Sequence, residues 1–319
     1  MGLLVARAGP AVVGSMLARV GWAFPVTVLL YGGHQAVRAA ALRLSIVGWP
    51  LRFAETVRIR ISAEAIDALT FTGPFLAEPA KGWLLMRCGV SVEAAFGAVA
   101  VEYLLYTTVS AVTVAVTALL LIARGVVPPA MQPAAYVAFG GAITFVAAVA
   151  FAAVSGVGLV APFFRALHPL AVRLRIARAA VAADWVGRVE CVLMSLLHDR
   201  PARALKVLAL EVVAHTLFLL EIWIVLATLG FSLTGGDLLV VEGGVKLTQA
   251  AFFFIPGQLG ASEAGYLWLV GSLGLPAAAG LTLALVRRAR SFAVAGAGLL
   301  ALALLKDSGA PPENDRPRP

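Results

Sequence analysis

Four long stretches of the chain contain almost no charged residue, and this feature limits the possible folds more than any other. The stretches are residues 94–123, 134–164, 207–233 and 270–286. A helix needs about 20 mainly apolar residues to cross a bilayer, and most of these stretches reach that length. Because only 13% of the residues are charged, the chain also lacks the charge that would cover a soluble protein of this size. The sequence therefore predicts an all-α, polytopic integral membrane protein.

The apolar segments predict about six membrane spans within one transmembrane domain that covers residues 1–305. Complete spans are expected near residues 22–41, 94–122, 134–157, 207–229 and 277–305. The stretch 1–20 is expected to form an incomplete or shortened span. Residues 306–319 are polar and rich in proline, a composition typical of disordered segments, so we expect a disordered tail.

The formal net charge of +8 is distributed in a way that predicts orientation. Because Lys and Arg accumulate in cytoplasmic loops, the basic segments 38–60 and 158–206 and the C-terminal tail are expected on the cytoplasmic side of the inner membrane. Segment 158–206 alternates apolar and charged residues at helical spacing. Two interpretations remain open, namely amphipathic helices on the membrane surface or a solvated helix pair. No nucleic-acid recognition fold is evident, so nucleic acid is not an expected partner.

Two further segments, at about residues 62–93 and 236–275, are apolar but interrupted by glycine, proline and charged residues. They align at a constant offset of 185 residues, and the matched residues include Glu78 with Glu263 and Gly89 with Gly274. Three predicted spans separate the two segments, so the second should enter the membrane from the opposite face. The sequence therefore predicts an inverted-topology repeat in which each segment forms a re-entrant helical hairpin.

The repeat halves are expected at about residues 62–122 and 236–305, and each hairpin needs a break between its helices. Proline lacks an N–H group and glycine tolerates unusual dihedral angles, so the residues expected to shape the breaks are Pro74, Pro256, Gly257 and Gly260. Ser262 is the expected N-cap of the outgoing helix, with Glu263 in its first turn, where the helix dipole favours a negative charge. The alternative, that the matched glutamates are ordinary first-turn residues at the interface, remains open.

Charged residues inside membrane segments are costly and usually functional. Three arginines near the middle of the last predicted span indicate a polar cavity or an anionic ligand, unless the helix bends there and they mark its cytoplasmic end. The predicted substrate-binding residues are Glu78, Lys81, Glu263, Arg287, Arg288 and Arg290. The same offset matches Glu102 with Arg287, and we expect these two residues to form a charge pair.

No pattern in the sequence indicates catalysis, a metal site or a cofactor. Cys88 and Cys191 lack metal-ligand or redox spacing, and the four histidines are scattered. No nucleophile, zinc-protease or phosphate-loop motif is present. We therefore expect neither enzymatic activity nor a bound cofactor or metal.

The motif IPGQLGASEAG at 255–265, followed by LGL and an arginine-bearing helix, resembles the flippase-like transmembrane domain of the lysylphosphatidylglycerol synthase superfamily. The first segment, GPFLAEPAK at 73–81, resembles the family's N-terminal motif, with Ala77 where glycine usually precedes the glutamate. The resemblance covers about residues 20–305 and implies lipid translocation by re-entrant helices. Lipid aminoacylation is not expected, since the soluble aminoacyl-transferase domain of the family's synthases has no counterpart in this sequence.

Together these features predict the transbilayer movement of a membrane lipid with an anionic or phosphorylated headgroup, through a cavity between the two hairpins. The alternative is a non-transporting, lipid-binding accessory subunit or membrane enzyme of a hopanoid, polyprenyl or phospholipid pathway. The expected partners are membrane lipids and, in that case, lipid-biosynthetic enzymes.

Overall fold

The computed structural model describes residues 10–70, 74–158, 179–253, 255–258 and 260–306, and all regular secondary structure in these ranges is helical. The helices are α1 (Pro10–Val20), α2 (Phe24–Ser45), α3 (Phe53–Thr70), α4 (Pro74–Arg87), α5 (Val92–Ala123), α6 (Gln132–Ser155), α7 (Ala179–Leu197), α8 (Pro201–Thr228), α9 (Gly235–Ala251), α10 (Ala261–Ser272) and α11 (Ala277–Lys306). Short 3₁₀ turns lie at Gly21–Ala23, Pro129–Met131 and Pro256–Gln258. The predicted all-α fold of a polytopic membrane protein is confirmed.

Within the described ranges, four helical segments are long and apolar enough to cross a membrane. They are Pro10–Ser45, Val92–Ala123, Pro129–Ser155 and Pro201–Thr228. The described part of the short span expected at 1–20 does not form a span of its own. It is α1, which continues into α2 through a single 3₁₀ turn. The span expected at 277–305 corresponds to α11, which contains Arg287, Arg288 and Arg290 and is not one of these four segments.

Helices α2–α5 and α8–α11 form corresponding helix–helix contacts. Helix α3 packs against α11, and its counterpart α9 packs against α5. Helix α2 contacts α11, and its counterpart α8 contacts α5, while α2 and α8 pack against each other. These reciprocal contacts are those that the predicted repeat, with its offset of 185 residues, requires, and the repeat itself remains a prediction. The opposite orientation of the two halves in a membrane, and the re-entrant depth of their hairpins, remain predictions.

Matching turns join α4 to α5 and α10 to α11. The φ angle is 89° at Gly89 and 78° at Gly274, a left-handed conformation that glycine adopts without the clash of a side chain. Gly89 N–H donates to the Met86 carbonyl at 2.9 Å, and Gly274 N–H donates to the Gly271 carbonyl at 3.0 Å. Both turns are therefore glycine caps of the same type, placed at equivalent positions of the repeat.

Each half also buries matched apolar residues on the short helix that precedes its turn. Leu84 and Leu85 on α4 belong to a core cluster shared with α2, α3 and α5. Their counterparts on α10, Leu269 and Val270, belong to a cluster shared with α8, α9 and α11. These side chains are almost fully buried, so apolar packing holds each short helix against the long helix that follows it.

The break between α9 and α10 has the predicted glycine geometry but a different N-cap. Gly257 has φ 58° within the 3₁₀ turn, and Gly260 has φ 88° just before α10. Gly260, not Ser262, is the N-cap, because the Glu263 carboxylate reaches back and accepts a hydrogen bond from Gly260 N–H at 2.7 Å. Glu263 lies in the first turn as predicted, and the Ser262 hydroxyl donates to Gln258 instead.

The first break is less similar to the second than the sequence predicts. Helix α3 ends at Thr70 and α4 begins at Pro74, with residues 71–73 outside the described ranges. Glu78 is the fifth residue of α4 and so lies beyond the first turn, unlike Glu263. Pro79 is the sixth residue of the helix, where a proline removes the hydrogen bond that an N–H at this position would donate to the Phe75 carbonyl.

The segment 38–60 is not a basic loop, and this corrects the sequence prediction. Helix α2 extends to Ser45 and α3 begins at Phe53, so the connection is much shorter. Arg38 on α2 and Arg60 on α3 are buried, because both form ion pairs inside the protein.

The second basic segment and the tail lie partly outside the described residues. Of segment 158–206, residues 159–178 are outside the described ranges, and helix α7 (Ala179–Leu197) packs against α5, α6 and α8. The predicted disordered tail at 306–319 also lies outside them, apart from Lys306 at the end of α11.

Candidate functional site

A cavity of about 850 Å³ lies between the two halves, and its lining comes from both. The structure places all six predicted substrate-binding residues, together with Gly257, around this one cavity. Other polar or aromatic residues that line it include Tyr31, Gln35, Arg38, Arg60, Glu64, Asp67, Tyr106, Phe218, Glu242, Lys246 and Tyr266.

The first half builds its part of the cavity around a buried carboxylate, Glu102 on α5. Its Oε1 lies 2.5 Å from Arg38 Nη2 and 2.7 Å from Arg60 Nη1, and its Oε2 lies 3.1 Å from Lys81 Nζ. Arg38 also reaches Glu211 on α8, at 3.2 Å. One fully buried carboxylate thus holds three basic side chains, which come from α2, α3 and α4.

The second half builds its part around a buried cation, Arg287 on α11. Its guanidinium lies 3.0 Å from Glu221 and 2.9 Å from Glu242, and it donates to the Tyr266 hydroxyl at 2.6 Å and to the Phe218 carbonyl at 3.1 Å. These partners come from α8, α9 and α10, the counterparts of α2, α3 and α4. Several oxygen atoms therefore satisfy the guanidinium, as a buried charge requires.

The two centres are equivalent in position and opposite in charge. Glu102 and Arg287 are separated by the repeat offset of 185 residues, as are Lys81 and Tyr266. The predicted contact between Glu102 and Arg287 is not formed. Their described ion pairs are all with other residues, Glu102 with side chains on α2, α3 and α4 and Arg287 with side chains on α8 and α9.

Two further ion pairs involve the matched glutamates Glu78 and Glu263. Lys81 Nζ lies 2.6 Å from Glu78 within α4. Arg288 Nη2 lies 2.8 Å from Glu263 and 3.4 Å from the Gly257 carbonyl, so it joins α11 to the break between α9 and α10. The matched glutamates Glu78 and Glu263 therefore both hold a cation at the edge of the cavity.

Aromatic rings cover several of the cations. The Arg38 guanidinium lies 3.7 Å from the centroid of the Tyr106 ring, and that of Arg290 lies 3.9 Å from the centroid of Tyr31. Lys246 Nζ donates to the Tyr106 hydroxyl at 3.2 Å. Such contacts stabilise desolvated cations by about 2 kcal/mol each, and they fix the orientation of the charged groups around the cavity.

Sequence reasoning missed Tyr31, Gln35 and Arg38, which are spaced one helical turn apart on α2. This spacing puts them on one face of an otherwise apolar helix, and that signal was available in the sequence. Glu64 and Asp67 form a similar pair on α3. Within the described ranges, no group of three His, Cys, Asp or Glu residues is arranged to hold a metal ion.

Comparison with known proteins agrees with this architecture. The family description Lysylphosphatidylglycerol synthase TM region matches residues 1–298. No curated protein and no solved structure gives a significant match. Since the match covers nearly the whole helical domain with its cavity, the chain belongs to the lysylphosphatidylglycerol synthase TM region family.

Proposed function

We propose that the protein moves a lipid with an anionic or phosphorylated headgroup from one leaflet of the inner membrane to the other. The headgroup would occupy the cavity between the two halves while the acyl or prenyl chains stay in the bilayer. The observation that carries the proposal is a charged cavity of about 850 Å³ inside a helical membrane protein of a lipid-related family. Ionisable residues inside a transmembrane domain usually lie on a substrate pathway.

The chemistry of the cavity suits a phosphate-bearing headgroup. Arg288 and Lys246 line the cavity, and each has only one carboxylate partner, so a phosphate oxygen could add to or replace that partner. The Lys246–Glu242 pair is long, at 3.5 Å, and is therefore weaker than the Arg288–Glu263 pair, at 2.8 Å. Apolar rings at the edge, Phe75 and Phe253, lie 6.3 Å apart and could contact the lipid chains.

The corresponding contacts of the two halves support movement between leaflets rather than binding alone. Each half contributes a helix pair, a matched glutamate and a charged centre, so equivalent sets of contacts could face the two leaflets in turn. Transporters with internal repeats use this plan for alternating access. Translocation would then be passive or driven by a gradient, since the sequence shows no nucleotide-binding motif.

A leaflet-resolved assay tests the proposal. Purified protein is placed in liposomes that carry phospholipid or polyprenyl phosphate labelled with a fluorophore on the chain, and a membrane-impermeant reductant reports which leaflet holds the probe. We expect wild type to accelerate crossing, with a loss in Glu263→Gln and Arg288→Gln. The matched control is Glu93→Gln, because Glu93 is 41% exposed and its pair with Arg188 is long, at 3.4 Å.

Crossing no faster than in protein-free liposomes, for every probe, would refute translocation. If the probe binds without crossing, the accessory or enzymatic alternative is favoured. That alternative would be pursued by testing for a chemical change in the bound lipid and for a co-purifying biosynthetic enzyme.

A further inference from the structure

Glu211 on α8 is the least firmly held of the buried glutamates in the described helices. Its side chain is fully buried, and neither carboxylate oxygen accepts a hydrogen bond from any residue that the structure describes. Its ion pair is with Arg38, whose Nε lies 3.2 Å away. A buried carboxylate normally has several donors around it, so this one requires an explanation.

The other glutamates that are at most 3% exposed have closer or more numerous basic partners. The shortest N···O distance is 2.5 Å at Glu102, 2.9 Å at Glu242 and 2.8 Å at Glu263, and Glu221 pairs with two arginines. Ion pairs and hydrogen bonds stabilise the ionised form of a carboxylate, so a carboxylate with few of them takes up a proton at a lower cost. Among these five glutamates, Glu211 is therefore best suited to carry a proton.

The charges that face Glu211 come from four other helices. They are Arg38 on α2, Arg60 on α3, Lys81 on α4 and Glu102 on α5. Glu78 also pairs with Lys81, so the three cations of this cluster are matched by Glu78, Glu102 and Glu211. The cluster is neutral while Glu211 is ionised, and it gains one positive charge when Glu211 is protonated.

Two titratable groups next to Glu211 have partners of their own. His215, one turn later on α8, contacts the Ser110 hydroxyl at 3.0 Å and the Glu211 carbonyl at 2.8 Å through its two ring nitrogens. The Tyr106 ring on α5 covers the Arg38 guanidinium, and its hydroxyl accepts a hydrogen bond from Lys246. Neither group is hydrogen-bonded to the Glu211 carboxylate.

Helices α1, α7, α9 and α11 also contact α8, at other points. Arg19 on α1 donates to the Leu229 carbonyl, just beyond the end of α8, and α7 meets α8 in an apolar cluster that includes Leu197 and Val207. On α9 and α11, four charged side chains pair with one another or with Glu221, namely Glu242, Lys246, Arg287 and Arg290. The charge of Glu211 therefore acts first on Arg38.

Arg38 connects this carboxylate with the cavity. It lines the cavity, and its guanidinium is shared between Glu102, at 2.5 Å from Nη2, and Glu211. When Glu211 takes up a proton, Arg38 loses one of its two carboxylates, and the excess positive charge favours an anion in the cavity. Loss of the proton restores the ion pair and expels the anion.

We propose that Glu211 is the coupling site of a proton symporter, which carries one proton with each anionic headgroup. The inference rests on the proposed function and identifies the gradient that drives it. Membrane transporters commonly use buried carboxylates as proton carriers. A headgroup with one negative charge and one proton together carry no net charge, so transport should depend on the pH gradient and not on the membrane potential.

The test measures how chain-labelled phosphatidylglycerol distributes between the leaflets of liposomes that contain the purified protein. Albumin extracts the short-chain probe from the outer leaflet, and a pH-sensitive dye reports on the lumen. With the outside more acidic by about one pH unit, one-to-one coupling should enrich the probe in the inner leaflet by up to about tenfold and acidify the lumen, faster than in protein-free liposomes. A potential set with K⁺ and valinomycin at equal pH should leave the distribution even.

The variant Glu211→Gln keeps the shape of the protonated side chain but cannot release a proton. Its probe distribution should ignore the pH gradient and follow the potential, because the anion then crosses alone. The control Glu93→Gln should respond as wild type does, since the exposed Glu93–Arg188 pair lies outside the cluster.

The outcomes distinguish proton coupling from translocation itself. Wild-type crossing that does not respond to the pH gradient overturns proton coupling and leaves translocation standing. A folded Glu211→Gln variant that still follows the pH gradient, or that does not exchange the probe at all, overturns the assignment to Glu211. If this variant does not fold, the wild type decides, because crossing without lumenal acidification overturns the coupling. No protein-dependent crossing overturns both.

Discussion

Replacing Glu102 with glutamine should destabilise the protein more than any comparable change at a surface carboxylate. The Glu102 side chain is fully buried and contacts Arg38, Arg60 and Lys81. An amide of the same shape keeps the packing but removes the negative charge that offsets these three cations. Removing one partner of a buried ion pair costs about 3–5 kcal/mol, because the remaining charge stays desolvated.

The three cations do not lose the same share of their stabilising partners in this variant. Arg38 keeps Glu211 and Lys81 keeps Glu78, whereas Arg60 keeps only a hydrogen bond to Gln35, at 2.8 Å. The cost should therefore be close to that of one orphaned cation, about 3–5 kcal/mol, rather than three times that figure. In a domain of this size the melting temperature would fall by at least about 6 °C.

The assay is thermal unfolding of the purified protein in detergent, followed by tryptophan fluorescence. Glu93→Gln is the matched control, because the exposed Glu93–Arg188 pair should contribute less than about 1 kcal/mol. A Glu102→Gln variant that melts within about 2 °C of wild type would refute the reasoning, because it would mean that the three cations are not held by this carboxylate.

Further predictions concern the second centre, the matched turns and the cysteines. Tyr266→Phe should cost about 1.5–3 kcal/mol in unfolding free energy, because Arg287 loses a buried acceptor; a change below about 0.5 kcal/mol would contradict this. Gly274→Ala should lower stability by about 1–2 kcal/mol, because alanine is strained at φ 78°, whereas Gly271→Ala, within helix α10 and with open space around it, should be neutral or stabilising. Burial, and then the nearby Glu55 charge, raise the pKa of the Cys88 thiol, so a maleimide at pH 7 should label the exposed Cys191 first. Faster labelling of Cys88 in mass spectra would count against the described packing.

The sequence was most informative where one residue type has one physical role. Long uncharged segments predicted the helical membrane fold, and the offset that pairs Gly89 with Gly274 predicted two turns with the same left-handed geometry. The six predicted substrate-binding residues converge on one cavity, because charges at these positions have no other low-energy place.

Predictions failed where the role of a residue depends on a distant partner. In the sequence, Arg38 and Arg60 belong to a basic segment of the kind found in cytoplasmic loops. Their ion pairs with Glu102 form only when the chain folds. The N-cap was misplaced for a similar reason, since the capping contact is made by the Glu263 carboxylate to Gly260 N–H and not by the side chain of the N-cap residue. Glu102 and Arg287 were matched by the correct offset, but the offset identifies equivalent positions and not contacts.

The opposite charges of the two centres mean that the two halves differ in chemistry. Two identical units could replace each other. Here one half holds three cations around a carboxylate, and the other holds two carboxylates around a cation, so the halves are complementary in charge. The Arg38–Glu211 ion pair links the two halves. A protein made of two first halves would lack Glu211, the second-half partner of Arg38, so neither half can substitute for the other.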